Sequence, residues 1–218
     1  MKIQAVISRA IVLSKIVKVF IEETGRRVEP FGDPASEAPI GNRPLKEWLD
    51  EAIRDAGFEK IGELKAPCLV VPDTLFCTGQ ALRDFATGAA GRDAVLVLAD
   101  SRFGRSTTPV QPDVHRIDAG WRFASIRYLS GDNHPPVDVV VDPNEKPFDI
   151  PVRNAYLGVD SMELSIARDP VMTIHHWVHV LWANQNYGGI ELLRTPKWKL
   201  FFRGAWAVLR AFSFNKWK

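Results

Sequence analysis

A-P-C-L-V-V-P-D-T-L-F-C-T-G-Q-A-L-R-D-F, residues Ala66–Phe85, is the stretch that decides the fold. Cys68–Val71 reads as a short buried strand that ends at a Pro-Asp corner. A connection over Thr74–Gly79 then leads into a helix over Gln80–Phe85. Asp73 falls just past the carboxyl end of the strand. In open α/β sheets that edge is where ligands and metals are held.

Working outward, the same alternation repeats on both sides. Val17–Ile21 is a β-branched and aromatic run, which suits a first strand. A Gly- and Pro-rich segment follows and reads as a long loop ending at Pro44. Leu45–Ala56 then has helical spacing, with Trp48, Leu49, Ala52 and Ile53 on one face and Gly57 as its stop. Phe58–Ile61 reads as a short second strand. Downstream, Asp93–Ala99 is another buried strand, with Asp100 just past its end. Strands alternating with helices point to a parallel sheet with flanking helices. Beyond Asp100 the character changes. Trp121–Leu129, Val137–Val141 and Phe148–Val152 read as antiparallel strands, with turns at Gly131–Pro136 and Asp142–Lys146. His175–Ala183 reads as a closing helix. Thr195 and Pro196 cap a final helix over Lys197–Phe212.

At 218 residues the chain is long enough for one full core. A net charge of +2 is too small to argue for a nucleic-acid partner. The charge is uneven, however: Leu192–Lys218 carries seven basic residues and no acidic one. There Lys199, Arg203 and Arg210 share one helical side, and Phe202, Trp206, Leu209 and Phe212 share the other. That pattern fits docking on a protein partner, a second subunit or a further domain. It also fits peripheral contact with a membrane surface. Met1–Ile16 has amphipathic helical spacing, which fits packing on its own domain or a surface-seeking helix. These features divide the chain into a helix over 1–16, a central domain over 17–190 and a basic tail over 191–218. Charged residues interrupt every apolar run that approaches spanning length, and no signal-peptide pattern opens the chain. With two cysteines and no Cys-x-x-Cys spacing, the expected location is cytoplasmic.

Two further groups invite chemistry. His175 and His179 are four apart, so on a helix they would share a face and could share a metal; the alternative is a helix start with one partly buried imidazole. Cys77 lies in the connection beside Asp73, where a structural role competes with that of a reactive thiol.

The order G-R-R-V-E-P-F … A-P-I-G-N-R-P-L-K-E-W-L-D-E-A-I-R-D-A-G-F resembles the front of sugar-1-phosphate nucleotidyltransferases. L-V-V-P-D-T-L-F resembles their strand ending in Gly-Asp, and H-W-V-H-V-L-W-A-N-Q resembles their closing helix. The likeness spans about Val17–Asn186, and the turn I-G-N-R-P-L is its most specific piece. It implies a Rossmann-like, three-layer α/β/α (GT-A-like) domain with a mostly parallel central sheet and an antiparallel hairpin insertion. It implies transfer of a nucleotidyl group from a nucleoside triphosphate to a sugar phosphate, with Mg²⁺. Residue by residue, Gly25 would let the backbone approach the nucleotide, and Arg27 would contact its phosphates as the catalytic cation. Asp73 would hold Mg²⁺, and Asn42 and Arg43 would line the sugar side.

The chain also departs from that pattern. Glu22 and Glu23 stand where the family has small residues, and would repel a triphosphate unless neutralised by Arg26, Arg27 or a metal. Ala35 takes the place of the substrate-pairing lysine. Before the closing helix stand His175 and His176 rather than an aspartate, and Asp160 is the upstream acid considered for that place. The expectation is therefore a diverged nucleotidyltransferase-like domain. The alternative is a non-catalytic ligand-sensing or scaffold domain that docks through its C-terminal helix.

Overall fold

The computed structural model describes residues 16–132, 134–154 and 159–194. The helix expected over 1–16 (apart from Ile16) and the one expected over Lys197–Phe212 lie outside the described residues.

The described residues open on strand β1 (Lys18–Glu22), followed by two tight hairpins, β2 (Arg27–Val28) with β3 (Asp33–Pro34) and β4 (Pro39–Ile40) with β5 (Arg43–Pro44). Helix α1 (Leu45–Ala56) and strand β6 (Glu59–Ile61) come next. Strands β7 (Cys68–Pro72) and β8 (Leu75–Cys77) precede helix α2 (Gly79–Ala89) and strand β9 (Ala94–Ala99). A short helix α3 (Arg102–Thr107) leads to β10 (Val114–Ile117), β11 (Gly120–Leu129) and β12 (Val137–Val141). Last come β13 (Glu145–Asn154), β14 (Val159–Ala167), β15 (Val171–Thr173) and helix α4 (Trp177–Arg194).

The molecule is mixed α/β around a mostly parallel sheet of order β12-β9-β11-β7-β1-β6, with β10 paired to β11. β1 runs parallel to both β6 and β7, and β12 runs parallel to β9. Only β11, wedged between β7 and β9, opposes its neighbours along this path. The apolar runs explain the burial: every residue of β7 is buried, as are the first five of β9. A strand covered on both faces needs a continuous hydrophobic run rather than alternation.

Helix α1 packs through Leu45, Leu49, Ala52, Ile53 and Ala56, and Gly57 closes it in the left-handed conformation. Burying a leucine or isoleucine there contributes about 1.5–3 kcal/mol each. Helix α2 starts at Thr78, whose hydroxyl accepts from the Ala81 N–H. Gly79 lies so close to the α1 backbone at Ala52 and Ala56 that a Cβ would have no room. That close approach locks the two helices together.

Several sequence expectations are corrected here. Thr74–Gly79 is not a plain connection, because β8 lies inside it and pairs antiparallel with β15. Helix α2 runs on to Ala89, and α4 starts at Trp177 rather than His175 and continues to Arg194. Val137–Val141 is not part of an antiparallel set. It opposes β11 in direction, but β9 lies between them, so its own pairing is parallel. Its start is fixed at the beginning of β9, where the Val137 N–H donates to the Asp93 carbonyl. Asp142–Lys146 is therefore not a hairpin turn. The chain leaves the central sheet there, and β13 pairs with β14 in a separate two-stranded sheet. Both strands of that hairpin are tied back at its base, where Glu145 faces Ala167. The Glu145 carboxylate caps the Arg102 and Phe103 N–H groups, and the Ala167 N–H donates to the Asn186 side chain.

Candidate functional site

The carboxyl edge of the sheet is built by register. Glu22 pairs with Pro72, so the loop after β1 and the corner after β7 emerge side by side. The Asp73 N–H donates to the Glu22 carbonyl at 3.0 Å. In return, Asp73 Oδ1 accepts from the Thr24 N–H at 3.1 Å and from the Thr24 hydroxyl at 2.6 Å. The Thr24 oxygen also accepts from the Arg26 N–H at 3.3 Å. The carboxylate predicted to hold a metal thus first serves as the anchor of the loop above it.

A second segment closes on this loop from far along the chain. The Ile174 N–H donates to the Thr74 carbonyl, extending the β8–β15 pairing by one step towards Asp73. The Glu29 N–H donates to the His175 carbonyl, and the Trp177 N–H donates to the Glu29 carbonyl. This zipper sets the His175 ring against the loop. Its Nδ1 lies 3.2 Å from Arg26 Nη1. On the other side, Nε2 lies 2.9 Å from the Thr173 hydroxyl and 3.3 Å from Asp113 Oδ1. Burial opposes ionisation of Asp113, but the facing His175 and Ser125 more than offset it and bring the carboxyl down to about 2. Asp113 therefore stands as an anion beside a buried imidazole.

The structure places the sequence-predicted residues unevenly. Gly25 has φ +61° in the loop anchored on Asp73. Arg27 is exposed, and its Nη1 donates to the Gly32 carbonyl, within the β2–β3 hairpin. Gly41 and Asn42 both have positive φ, as a tight two-residue hairpin requires. The Gly41 N–H donates to Asn184 Oδ1, and Trp48 donates to the Ile40 carbonyl. Arg43 stacks 3.7 Å over the Trp48 ring and pairs with Glu51 at 2.7 Å. The I-G-N-R-P-L turn is thus braced between α1 and α4. Asn42 remains exposed at its tip. Glu22 meets Arg127, at 3.7 Å, rather than Arg26 or Arg27.

The two other constellations resolve as structural. His179 Nδ1 accepts from the N–H groups of His175 and His176, and its Nε2 lies 2.9 Å from the Pro109 carbonyl. Both ring nitrogens are used, so His175 and His179 do not share a metal. Burial lowers the His179 pKa, which keeps the ring neutral. Cys77 is buried, and burial pushes its thiol up to about 12, which makes it unreactive.

Sequence reasoning missed Thr24, Asp113 and Arg127, and offered His175 only His179 as a partner. One signal was available. In W-R-F-A-S-I-R-Y-L the buried Phe123 and Ile126 are three apart, where a regular strand needs even spacing. The register of β11 shifts between Phe123 and Arg127. Bulges of this kind re-aim side chains near functional edges. Here the Ala124 N–H donates to the Asp113 carbonyl, so the bulge also seats Asp113.

A polar cleft of about 590 Å³ opens elsewhere, at the amino end of α2, lined in part by Arg83, Lys146 and Arg168. Its charges are largely matched. Asp84 and Asp169 line it too, and Arg83 is engaged with Gln80 and the Asp55 carbonyl. None of the Asp73 cluster lines that cleft.

Two facts bear on the metal implied by the resemblance. Among the described residues, no three His, Cys, Asp or Glu side chains gather as a ready ligand group. Mg²⁺ is, however, commonly held by one or two carboxylates together with water and substrate phosphates. Asp73 fits that pattern: Oδ1 is held by Thr24, and Oδ2 would be the oxygen to meet a metal. No helix among the described residues is long and apolar enough to cross a membrane. Compared with protein-family models and with curated proteins, the chain matches none.

Proposed function

We propose that the carboxyl edge around Asp73 binds the phosphates of a nucleotide, and that the chain is a diverged sugar-1-phosphate nucleotidyltransferase. On this reading the domain is Rossmann-like and three-layered in the GT-A manner. The observation that carries it is the two-bond anchor between Thr24 and Asp73, which holds a Gly-containing loop over the carboxyl end of a parallel sheet. In the reaction, a phosphate oxygen of the sugar 1-phosphate attacks the α-phosphorus of the nucleoside triphosphate. The α–β bridging bond breaks and pyrophosphate leaves. Asp73 would hold Mg²⁺, which when bound would supply neutralisation of the phosphate charge. Gly25 gives the backbone room to approach the nucleotide. Arg127 offsets Glu22, which lessens its repulsion of the incoming anion. Arg27, Asn42 and Arg43 remain the proposed contacts to the outer phosphates and the sugar. Little covalent work falls to the protein; positioning and charge carry the rate.

A second reading is favoured by one residue. Ala35, in the place of the family's substrate-pairing lysine, is fully buried and donates its N–H to the Arg26 carbonyl. A nucleotide-sensing domain without transfer needs no such lysine. Calorimetry with a nucleoside triphosphate and Mg²⁺ tests binding, comparing the wild-type chain with Asp73→Ala. Binding by wild type and a loss of about tenfold or more in the variant is expected. An absence of binding in the wild type ends the reading. Pyrophosphate release on adding sugar 1-phosphates then separates transfer from sensing.

A further inference from the structure

Arg26 is the polar group of this edge that the family resemblance does not explain. It has only N–H donors, so its contact at His175 Nδ1 requires that nitrogen to be an unprotonated acceptor. The proton of the neutral ring then lies on Nε2, facing Thr173 and Asp113. The next links agree in direction. The Thr173 hydroxyl donates to Gln111 Oε1 at 2.6 Å, which leaves its lone pairs for His175. The Gln111 amide nitrogen in turn donates to the Thr107 carbonyl. Every group in the row has one orientation, and the row ends at a guanidinium. His175, Thr173 and Gln111 are all buried. Arg26 is half-buried, and among the described residues no carboxylate stands at ion-pair distance from it. A single bond to imidazole leaves most of its donors unused.

We propose that Arg26 is the phosphate-binding cation of this site, and that His175, itself held by Asp113 and Thr173, positions it. This rests on the nucleotide reading above and sharpens it, since it moves the leading phosphate contact from Arg27 to Arg26. An arginine pre-aimed by a buried acceptor loses less freedom on binding than one free in solvent. Its remaining N–H groups suit a phosphate oxygen pair. Arg27, by contrast, is occupied by the Gly32 carbonyl at 2.6 Å.

The test uses the full chain and inorganic tripolyphosphate as the probe, by calorimetry. Arg26→Ala is expected to weaken binding about tenfold or more, as loss of a charge-assisted contact does. Arg27→Ala is expected to weaken it less, and Arg54→Ala, on the outer face of α1, to leave it unchanged. His175→Ala is expected to weaken binding about threefold or more when Arg26 is present and not at all in the Arg26→Ala background. That coupling separates positioning from a general loss of structure. A second readout is the imidazole ¹⁵N spectrum. Nδ1 of His175 should be unprotonated and should shift when tripolyphosphate is added, and the shift should vanish in Arg26→Ala. Equal losses from His175→Ala in both backgrounds, or a larger loss from Arg27→Ala than from Arg26→Ala, would overturn the assignment while leaving the nucleotide reading intact. No binding of tripolyphosphate by the wild type would overturn both.

Discussion

The Asp73 edge and the Ile40–Leu45 turn are the two regions that the proposed nucleotide reading draws on, and they are built on opposite principles. The turn is the sharper sequence motif, yet its groups are largely spent within the protein. Gly41 touches Tyr187 and Asn184, Trp48 holds the Ile40 carbonyl, and Arg43 lies on Trp48 beside Glu51. The Asp73 edge is the weaker motif, with an acidic loop, yet it leaves a guanidinium that faces no carboxylate among the described residues. A sharp motif can record a demanding backbone rather than chemistry. Two successive positive-φ residues with an aromatic ring against one of them tolerate few sequences. A phosphate contact needs only a cation that is aimed and unpaired.

The comparison can be broken by mutation, starting with the largest effect. Gly41→Ala forces a Cβ into the Tyr187 ring at φ +57°. Strain and overpacking together should cost about 2–4 kcal/mol, read from urea denaturation. A near-neutral Gly41→Ala would mean that the turn is not the brace described.

His179→Ala strips the acceptor from the buried His175 N–H and the half-buried His176 N–H, and the partner from the Pro109 carbonyl. A loss of about 2–3 kcal/mol in thermal or chemical unfolding is expected. The wild-type protein carries a pH signature as well. The His179 pKa is lowered on folding, so its contribution is complete above the unfolded value of about 6.5 and lost as the pH falls through the lower folded value. The variant should lack that component of acid sensitivity.

Asp113→Asn tests the other end of the comparison, where charge rather than backbone matters. It should destabilise the protein by about 1–2 kcal/mol at neutral pH, through loss of a charge-assisted contact with His175. The carboxyl is lowered to about 2 from 3.8, so this advantage is complete above about pH 4 and fades as the pH drops towards 2. Unfolding curves of the two proteins should converge over that window.

Arg43→Ala should have the smallest effect, about 1 kcal/mol, because its ion pair and its stack on Trp48 are both partly exposed. If nucleotide affinity fell more than stability did, the turn would join the binding site and the contrast with the Asp73 edge would narrow.

Much of the fold was legible in the chain alone. The runs Cys68–Val71 and Asp93–Ala99 announced buried strands because strands covered on both faces need unbroken apolar sequence. Helix α1 was readable from start to stop, since one apolar face and a left-handed glycine mark both its course and its end. Asp73 could be placed just past the carboxyl end of its strand because where an apolar run stops is a local property. What local pattern could not carry was pairing between distant segments. Thr74–Gly79 looked like a connection because β8 has only three residues and exists only against β15, almost a hundred positions away in sequence. Val137–Val141 has the composition of any strand, and only the position of β9 decided that it pairs in parallel. The same holds for the site. Composition determined that an arginine, two histidines and several acids were available. Only the tertiary zipper between Glu29 and His175–Trp177 decided that Arg26 meets His175, and that Asp113 stands behind it. Hydrophobic periodicity is written residue by residue along the chain, whereas a charge acquires its partner only when folding closes the distance.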